Sequence, residues 1–328
     1  MPRTLRPFFI CLAGTWLALL IAAVFYSKQH PHSHWIMTAA LPAFLFEAVF
    51  YLGSVFEGTR LWFSQFHPKR LQAAILWLSA IVPYLILSLG AGTFQRNAFY
   101  IVVMLTGVLA FWHAVLPRRV AYDIGFFLIA AAPLITRVFP RLYLAPETHP
   151  QVDILGHVMW LRLGIAALLI LREWDPGAFG LWPTGREWRL GFLYFLASIV
   201  PIVVLSLAIH DMRFEPMAGP WWRVAGIGIG TFFGILWVVA LGENLLFQGV
   251  IVQDIRNAWG SPIAAVLVSS VLFGCAHLWF HEFPNWRRAL VAAALGIPFG
   301  ILYLRSGSVR AVMVTHSLVV MVSRVLFH

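Results

Sequence analysis

Three residues of this 328-residue chain are of types that could do chemistry together. Glu243 follows an uncharged, mostly apolar run from Val224 to Gly242 and precedes a second apolar stretch, LLFQGVIVQ. His277 and His316 also lie in apolar runs. An ionised carboxylate in hydrocarbon is costly unless it is solvated or paired, so an acid placed there marks a functional site by default. A carboxylate beside a histidine can hold a water and take its proton, and general-base catalysis of this kind contributes about 10²–10⁴-fold. A second histidine can donate to the oxyanion that develops on an attacked carbonyl. The same set could instead ligate a metal, since two histidines and a glutamate form a known zinc triad. No HExxH is present. The expectation is therefore that no cofactor is needed, with a divalent metal such as zinc on Glu243, His277 and His316 as the alternative.

The elements that must position these residues are transmembrane helices. The chain is 61% hydrophobic and only 11% charged, with a mean hydropathy of +0.82, whereas soluble domains carry about 25% charged residues. The net charge of +10 comes without any block of five basic residues, which argues against a nucleic-acid partner and fits a Lys/Arg excess in cytoplasmic loops. Cys11 and Cys275 both fall in apolar spans, so neither a disulfide framework nor a cysteine metal cluster is expected.

Crossing the hydrocarbon takes about 20 apolar residues. About eleven segments qualify: 8–26, 35–56, 72–92, 98–116, 120–139, 154–172, 188–209, 222–247, 261–280, 288–304 and 309–327. The fold class is all-α, a polytopic membrane helix bundle. The first span is too long for a signal-peptide core and reads as a retained signal anchor. Arg3, Arg6, Arg60, Lys69, Arg70, Arg118, Arg119, Arg172, Arg186, Arg189, Arg256, Arg305 and Arg310 fall on one side if the N-terminus is cytoplasmic. Fewer basic residues, among them Arg287 and Arg288, fall on the other. The loop REWDPGAFGLWPTGRE, Arg172–Glu187, is rich in Gly, Pro and Trp. It divides the chain into an N-terminal six-helix region, 1–180, and a C-terminal region of about five helices, 181–328.

Depth along the helices brings the three polar residues to one level. At 1.5 Å per residue, Glu243 lies about 22 Å above the Trp259–Gly260 turn and His277 about 24 Å above it. His316 lies about 12 Å above the turn at Ser306–Ser308. The levels agree if the first turn protrudes about 10 Å further into the cytoplasm. In the N-terminal region, Glu47, His113, Asp123, His157 and Arg162 are scattered polar residues whose spacing fits no catalytic template. Structural pairing is the expectation for them, Glu47 with Arg162 and Asp123 with the Arg118–Arg119 turn.

The segment ENLLFQG, Glu243–Gly249, resembles the EExxxR motif of the CPBP family, the CAAX-protease-like or Abi intramembrane endopeptidases. FGCAH, Phe273–His277, matches that family's FxxxH motif, and GILYLRSGSVRAVMVTHSLVV, running from Gly300 past His316, resembles its last motif. The resemblance covers about residues 188–328. It implies that Glu243 activates water, that His277 shares that water and that His316 stabilises the oxyanion. Asn244, Gln248 and Phe273 are implied to line the site. Asn244 stands where the family has a second Glu, Gln248 where it has Arg, and Val320 where it often has Asn.

The leading expectation is an intramembrane endopeptidase that cleaves a peptide bond near the C-terminus of a membrane-anchored peptide or protein, with the lipid bilayer as its surroundings. A multi-pass protein of the bacterial inner membrane is the matching location. Two other classes are carried beside it. One is a catalytically degenerate member that binds a peptide or confers immunity, which the three departures favour. The other is a transporter, which would call for inverted repeats or paired broken helices that the sequence does not display.

Overall fold

The computed structural model describes residues 5–30, 33–65, 68–147, 150–280 and 282–327; Arg3 and His281 lie outside them. Among the described residues, ten helices are long and apolar enough to cross a membrane, and an eleventh apolar helix is shorter. The chain is a multi-pass, all-α membrane protein. By its contacts it divides into two compact units, Met1–Trp174 and Asp175–His328.

The N-terminal unit runs α1 (Arg6–Gln29), α2 (Ile36–Val55), α3 (Glu57–Phe63), α4 (Lys69–Gly90), α5 (Arg96–Val115), α6 (Val120–Ile135), α7 (Phe139–Leu142) and α8 (Asp153–Leu171). The span expected at 120–139 stops at Ile135 instead. Pro133 lies in its last turn, and Arg137 then adopts a positive φ of 50° that a helix cannot continue through. The core gathers around α2, α4, α5 and α8, where Tyr84, Leu109, Met159 and Leu163 are sealed from solvent.

Buried charge in this unit is paired. The Arg162 Nε and Nη2 atoms donate to the two Glu47 carboxylate oxygens at 2.9 and 3.0 Å, and Nη1 donates to Ser79 Oγ at 2.7 Å. Asp123 does not pair with Arg118 or Arg119 as expected. It receives a two-pronged contact from Arg172 at 2.7 and 2.6 Å. The fork of a guanidinium matches a carboxylate only when both planes align, and α8 delivers Arg172 in that orientation while the nearer Arg118 turns to Glu173.

The C-terminal unit runs α9 (Gly185–Ala208), α10 (Trp221–Trp259), α11 (Pro262–Trp279), α12 (Trp286–Ser306) and α13 (Val309–Leu326). The last helix is central and packs against α9, α10 and α12. Residues Ala311–Val314 of α13 have no exposed surface. Helices α11 and α12 form a tight hairpin because small residues let their backbones meet. A Cβ at Gly296 would lie 2.7 Å from Ser270 Cα, and one at Gly274 would lie 2.5 Å from the Ala289 carbonyl oxygen. Close approach through small residues is how helices associate in lipid, where the hydrophobic effect offers no drive.

The start of α13 is anchored. Thr184 caps α9 through a reciprocal capping box with Glu187. Ser308 Oγ donates to Glu187 Oε1 at 2.5 Å, and Arg310 Nη2 donates to the same oxygen at 2.9 Å. The level of His316 on α13 is thereby tied to the N-terminus of α9.

Candidate active site

Glu243 and Asn244 sit on a short α-helical stretch of α10, Ala240–Asn244, between two π-helical stretches, Ile235–Val239 and Leu245–Val252. A π stretch widens the turn and is frequent at functional sites. Here it interrupts a helix of 39 residues, about 58 Å at the α-helical rise and so far longer than the hydrocarbon is thick. That excess length allows the Trp259 end to project beyond the level of the Ser306–Ser308 turn.

Helix α11 begins with Ser261, whose Oγ accepts from Ala264 N at 3.2 Å, followed by Pro262 in the first turn. Its α-helical part closes at Ala276, and His277 opens a single tight turn, His277–Trp279. His277 is therefore at the end of a helix, half-buried, while His316 is buried mid-helix.

Glu243 and His316 come together. Glu243 Oε2 lies 3.9 Å from His316 Nε2. That is too long for a direct hydrogen bond, and Oε2 is buried with no hydrogen-bond partner. The Glu243 side chain as a whole remains 34% exposed, while its Oε2 faces inward. At that separation from His316 a water bonded to both groups at about 2.8 Å would sit to the side of the line joining them, not on it.

Asn244 joins this pair from the next position. Its Nδ2 lies 3.3 Å from His316 Nδ1. Gln248 is wholly buried, and neither its Nε2 nor its Oε1 has a partner; Asn244 Oδ1 is also unpartnered. A buried polar atom without a partner costs about 1–3 kcal/mol, and three such atoms lie within five residues of Glu243 on the same helix.

His277 does not touch Glu243: among the described residues no hydrogen bond or ion pair joins them. It arrives through Phe273. The Phe273 ring centroid is 4.7 Å from that of His277 and 6.0 Å from that of His316. His277 Nδ1 is 2.8 Å from the Phe273 carbonyl oxygen. A carbonyl only accepts, so Nδ1 donates, and Nε2 of the neutral ring is left as an acceptor. No group of three His, Cys, Asp or Glu side chains among the described residues is placed to hold a metal ion. Glu243, His277 and His316 as arranged thus do not fit the zinc triad that their types allow.

Two aromatic residues at the site were not singled out from the sequence. Phe299 of α12 stacks on His316 at 5.2 Å with 30° between the planes, and Phe247 meets Phe273 edge-on at 5.0 Å. Ser269 Oγ donates to the Phe247 carbonyl at 2.7 Å, fixing α11 against the π-helical stretch. A phenylalanine in an apolar span looks like any other core residue, so no signal in the sequence separates these two from their neighbours.

Residues 225–322 match the family model described as Type II CAAX prenyl endopeptidase Rce1-like. The match contains Glu243, Asn244, Gln248, Phe273, His277 and His316, and it bears out the motif resemblance over this part of the chain. The N-terminal unit lies outside it. No curated protein and no solved structure matches the chain.

Proposed function

We propose that the C-terminal unit is an intramembrane endopeptidase that hydrolyses a peptide bond near the C-terminus of a membrane-anchored substrate. The observation that carries this reading is the Glu243 carboxylate oxygen, buried inside a membrane-spanning helix without a hydrogen-bond partner, 3.9 Å from an imidazole nitrogen. Structural acids in hydrocarbon are paired; this one has an oxygen that no hydrogen-bond donor among the described residues meets.

In the reaction, a water held by Glu243 loses a proton to the carboxylate as its oxygen attacks the scissile carbonyl carbon. His277 accepts the water's second hydrogen bond through Nε2. The carbonyl oxygen takes up negative charge and receives a hydrogen bond from His316. The carbon–nitrogen bond then breaks, and the proton held by Glu243 passes to the leaving amine. The unpartnered amide of Gln248 is suited to the backbone of an extended peptide, which offers the same donors and acceptors. Prenylated tails are the first substrates to try, given what the matching family model describes; bacteriocin-like peptides and sorting-signal helices come next. We read the N-terminus as cytoplasmic, on the Lys/Arg distribution, and the membrane as a bacterial inner membrane.

The test is cleavage of a membrane-anchored peptide with a farnesylated C-terminal tail by the full chain in proteoliposomes. Turnover should vanish in Glu243→Ala and in His277→Ala, and it should withstand a chelator. Full turnover in either variant removes the proposal. Loss on chelation with recovery on adding zinc would instead favour the metal-dependent mechanism.

A second reading, a catalytically degenerate peptide-binding protein, draws on Asn244, Gln248 and Val320 standing where the family has Glu, Arg and Asn. Under it, the wild type is inert and the double variant Asn244→Glu with Gln248→Arg acquires turnover. Under the leading reading, the same double variant is slower than the wild type.

A further inference from the structure

Asn244 departs from the family motif, yet it makes the one hydrogen bond that His316 receives from another side chain among the described residues. We infer that Asn244 is a positioning residue that fixes the proton of His316 on Nε2, so that the site presents its two histidines as opposite tautomers, one accepting and one donating. The inference rests on the endopeptidase reading for its consequence, but its own content is the state of one imidazole.

Two independent contacts point the same way. The Asn244 amide nitrogen is a donor only, and it faces His316 Nδ1 at 3.3 Å. In a neutral imidazole one nitrogen donates and the other accepts. With Nδ1 accepting from Asn244, the proton is on Nε2. On the other side of the ring, Nε2 faces Glu243 Oε2 at 3.9 Å. A carboxylate oxygen opposite an N–H is favourable, and opposite a nitrogen lone pair it is not. Turning the Asn244 amide over would put a lone pair against the carboxylate, so the Glu243 contact selects the same tautomer that the Asn244 contact does.

The ring has little freedom to change. Phe299 stacks on one face and the Phe273 edge meets it, which leaves the two nitrogens fixed toward Asn244 and Glu243. His277 has the reverse arrangement, its Nδ1 donating to the Phe273 carbonyl and its Nε2 free to accept. One imidazole is thus set to take a hydrogen bond from water and the other to give one to a developing oxyanion. A glutamate at position 244, as in the family motif, could offer Nδ1 only acceptors when ionised and would push the proton onto Nδ1. Asn is therefore a different setting of the same position.

The experiment is ¹⁵N NMR of the full chain carrying ring-labelled histidine, in lipid nanodiscs, with the His316 signals identified by their loss in His316→Gln. In the wild type, His316 should appear with Nε2 as the protonated nitrogen and Nδ1 as the bare one. In Asn244→Asp, which keeps the shape but presents only acceptors, the two should exchange. In Asn244→Leu, the ring should show both tautomers. Turnover of Asn244→Asp on the farnesylated peptide should fall by about 10²-fold or more in kcat with KM little changed, since a wrongly set tautomer spares binding. A wild-type His316 protonated on Nδ1 overturns the inference, as does a tautomer unmoved in both Asn244→Asp and Asn244→Leu. The NMR result stands apart from catalysis. An inert wild type with the expected tautomer sinks the endopeptidase reading and keeps this one; an active wild type with the proton on Nδ1 does the reverse.

Discussion

Each unit of this protein carries a glutamate in a membrane-spanning helix, and the two are treated in opposite ways. Glu47 has both carboxylate oxygens bonded to Arg162, and Ser79 takes up the remaining reach of the guanidinium. Glu243 has an oxygen that no protein donor meets, with His316 Nε2 at 3.9 Å. The first acid is complete, and so is inert. The second is left wanting a hydrogen bond, on a side chain that keeps some exposed surface. In hydrocarbon, where unsatisfied polar groups are expensive, this difference separates a staple from the acid we propose to be reactive more sharply than sequence position or burial does.

The comparison is sharpest in its largest expected effect. Glu243→Gln should lower turnover by about 10²–10⁴-fold, the span of a lost general base, and should leave the thermal midpoint unchanged or higher, because an unpaired buried acid is removed. A melting scan alongside the cleavage assay checks both. Loss of stability comparable to that of a core variant would make Glu243 a staple as well. Next, Arg162→Leu should destabilise the N-terminal unit by about 3–5 kcal/mol, because it strands Glu47 as an uncompensated buried charge. Arg162→Leu combined with Glu47→Leu should recover most of that loss, since a buried pair replaced as a pair is often neutral. A single variant as stable as the wild type would break the contrast from the other side.

The smallest effect concerns Glu173, outside the spans. Lys69 Nζ, 2.6 Å away, and Arg118 hold its carboxyl below the ordinary value of 4.5, the hydrogen bond from Lys69 being the largest cause. Because the folded value is depressed, the stabilisation is present above pH 4.5 and is lost as pH falls through the lower folded value. Solvent screens both pairs, so the change is small. Thermal midpoints of Glu173→Gln and wild type should converge in acid and separate slightly above it. A gap that widens toward low pH would contradict this.

Much of the architecture was legible in the sequence because hydrocarbon imposes its own grammar. Apolar runs of about 20 residues announced the helices, and two lone opposite charges, Glu47 and Arg162, announced each other. Counting helical rise from one turn put Glu243 and His277 at a common level, and His316 joined them only if that turn protruded about 10 Å further; it is His316 that stands 3.9 Å from Glu243. Rise says nothing about which way a side chain points, and among the described residues no hydrogen bond or ion pair joins His277 to Glu243; Phe273 lies between His277 and His316. Asp123 was matched to the arginines nearest in sequence; its partner is Arg172, 49 residues away. Choices of that kind depend on the alignment of planar groups, which spacing along a chain does not encode. The π-helical stretches around Glu243 were also hidden, since a widened turn has no characteristic residue.

Those widened turns make the long helix a shaft with two slipped joints. An α-helix advances about 100° per residue, and a stretch with a wider turn advances less. The face that points inward at Glu243 is therefore out of phase with the faces that the same helix shows to lipid above and below. Each end can keep the orientation its own neighbours require while the middle keeps the carboxylate turned toward His316. Deleting one residue from Leu245–Val252 would rewind that joint, turning everything beyond it about the helix axis while Glu243 itself stayed where it is.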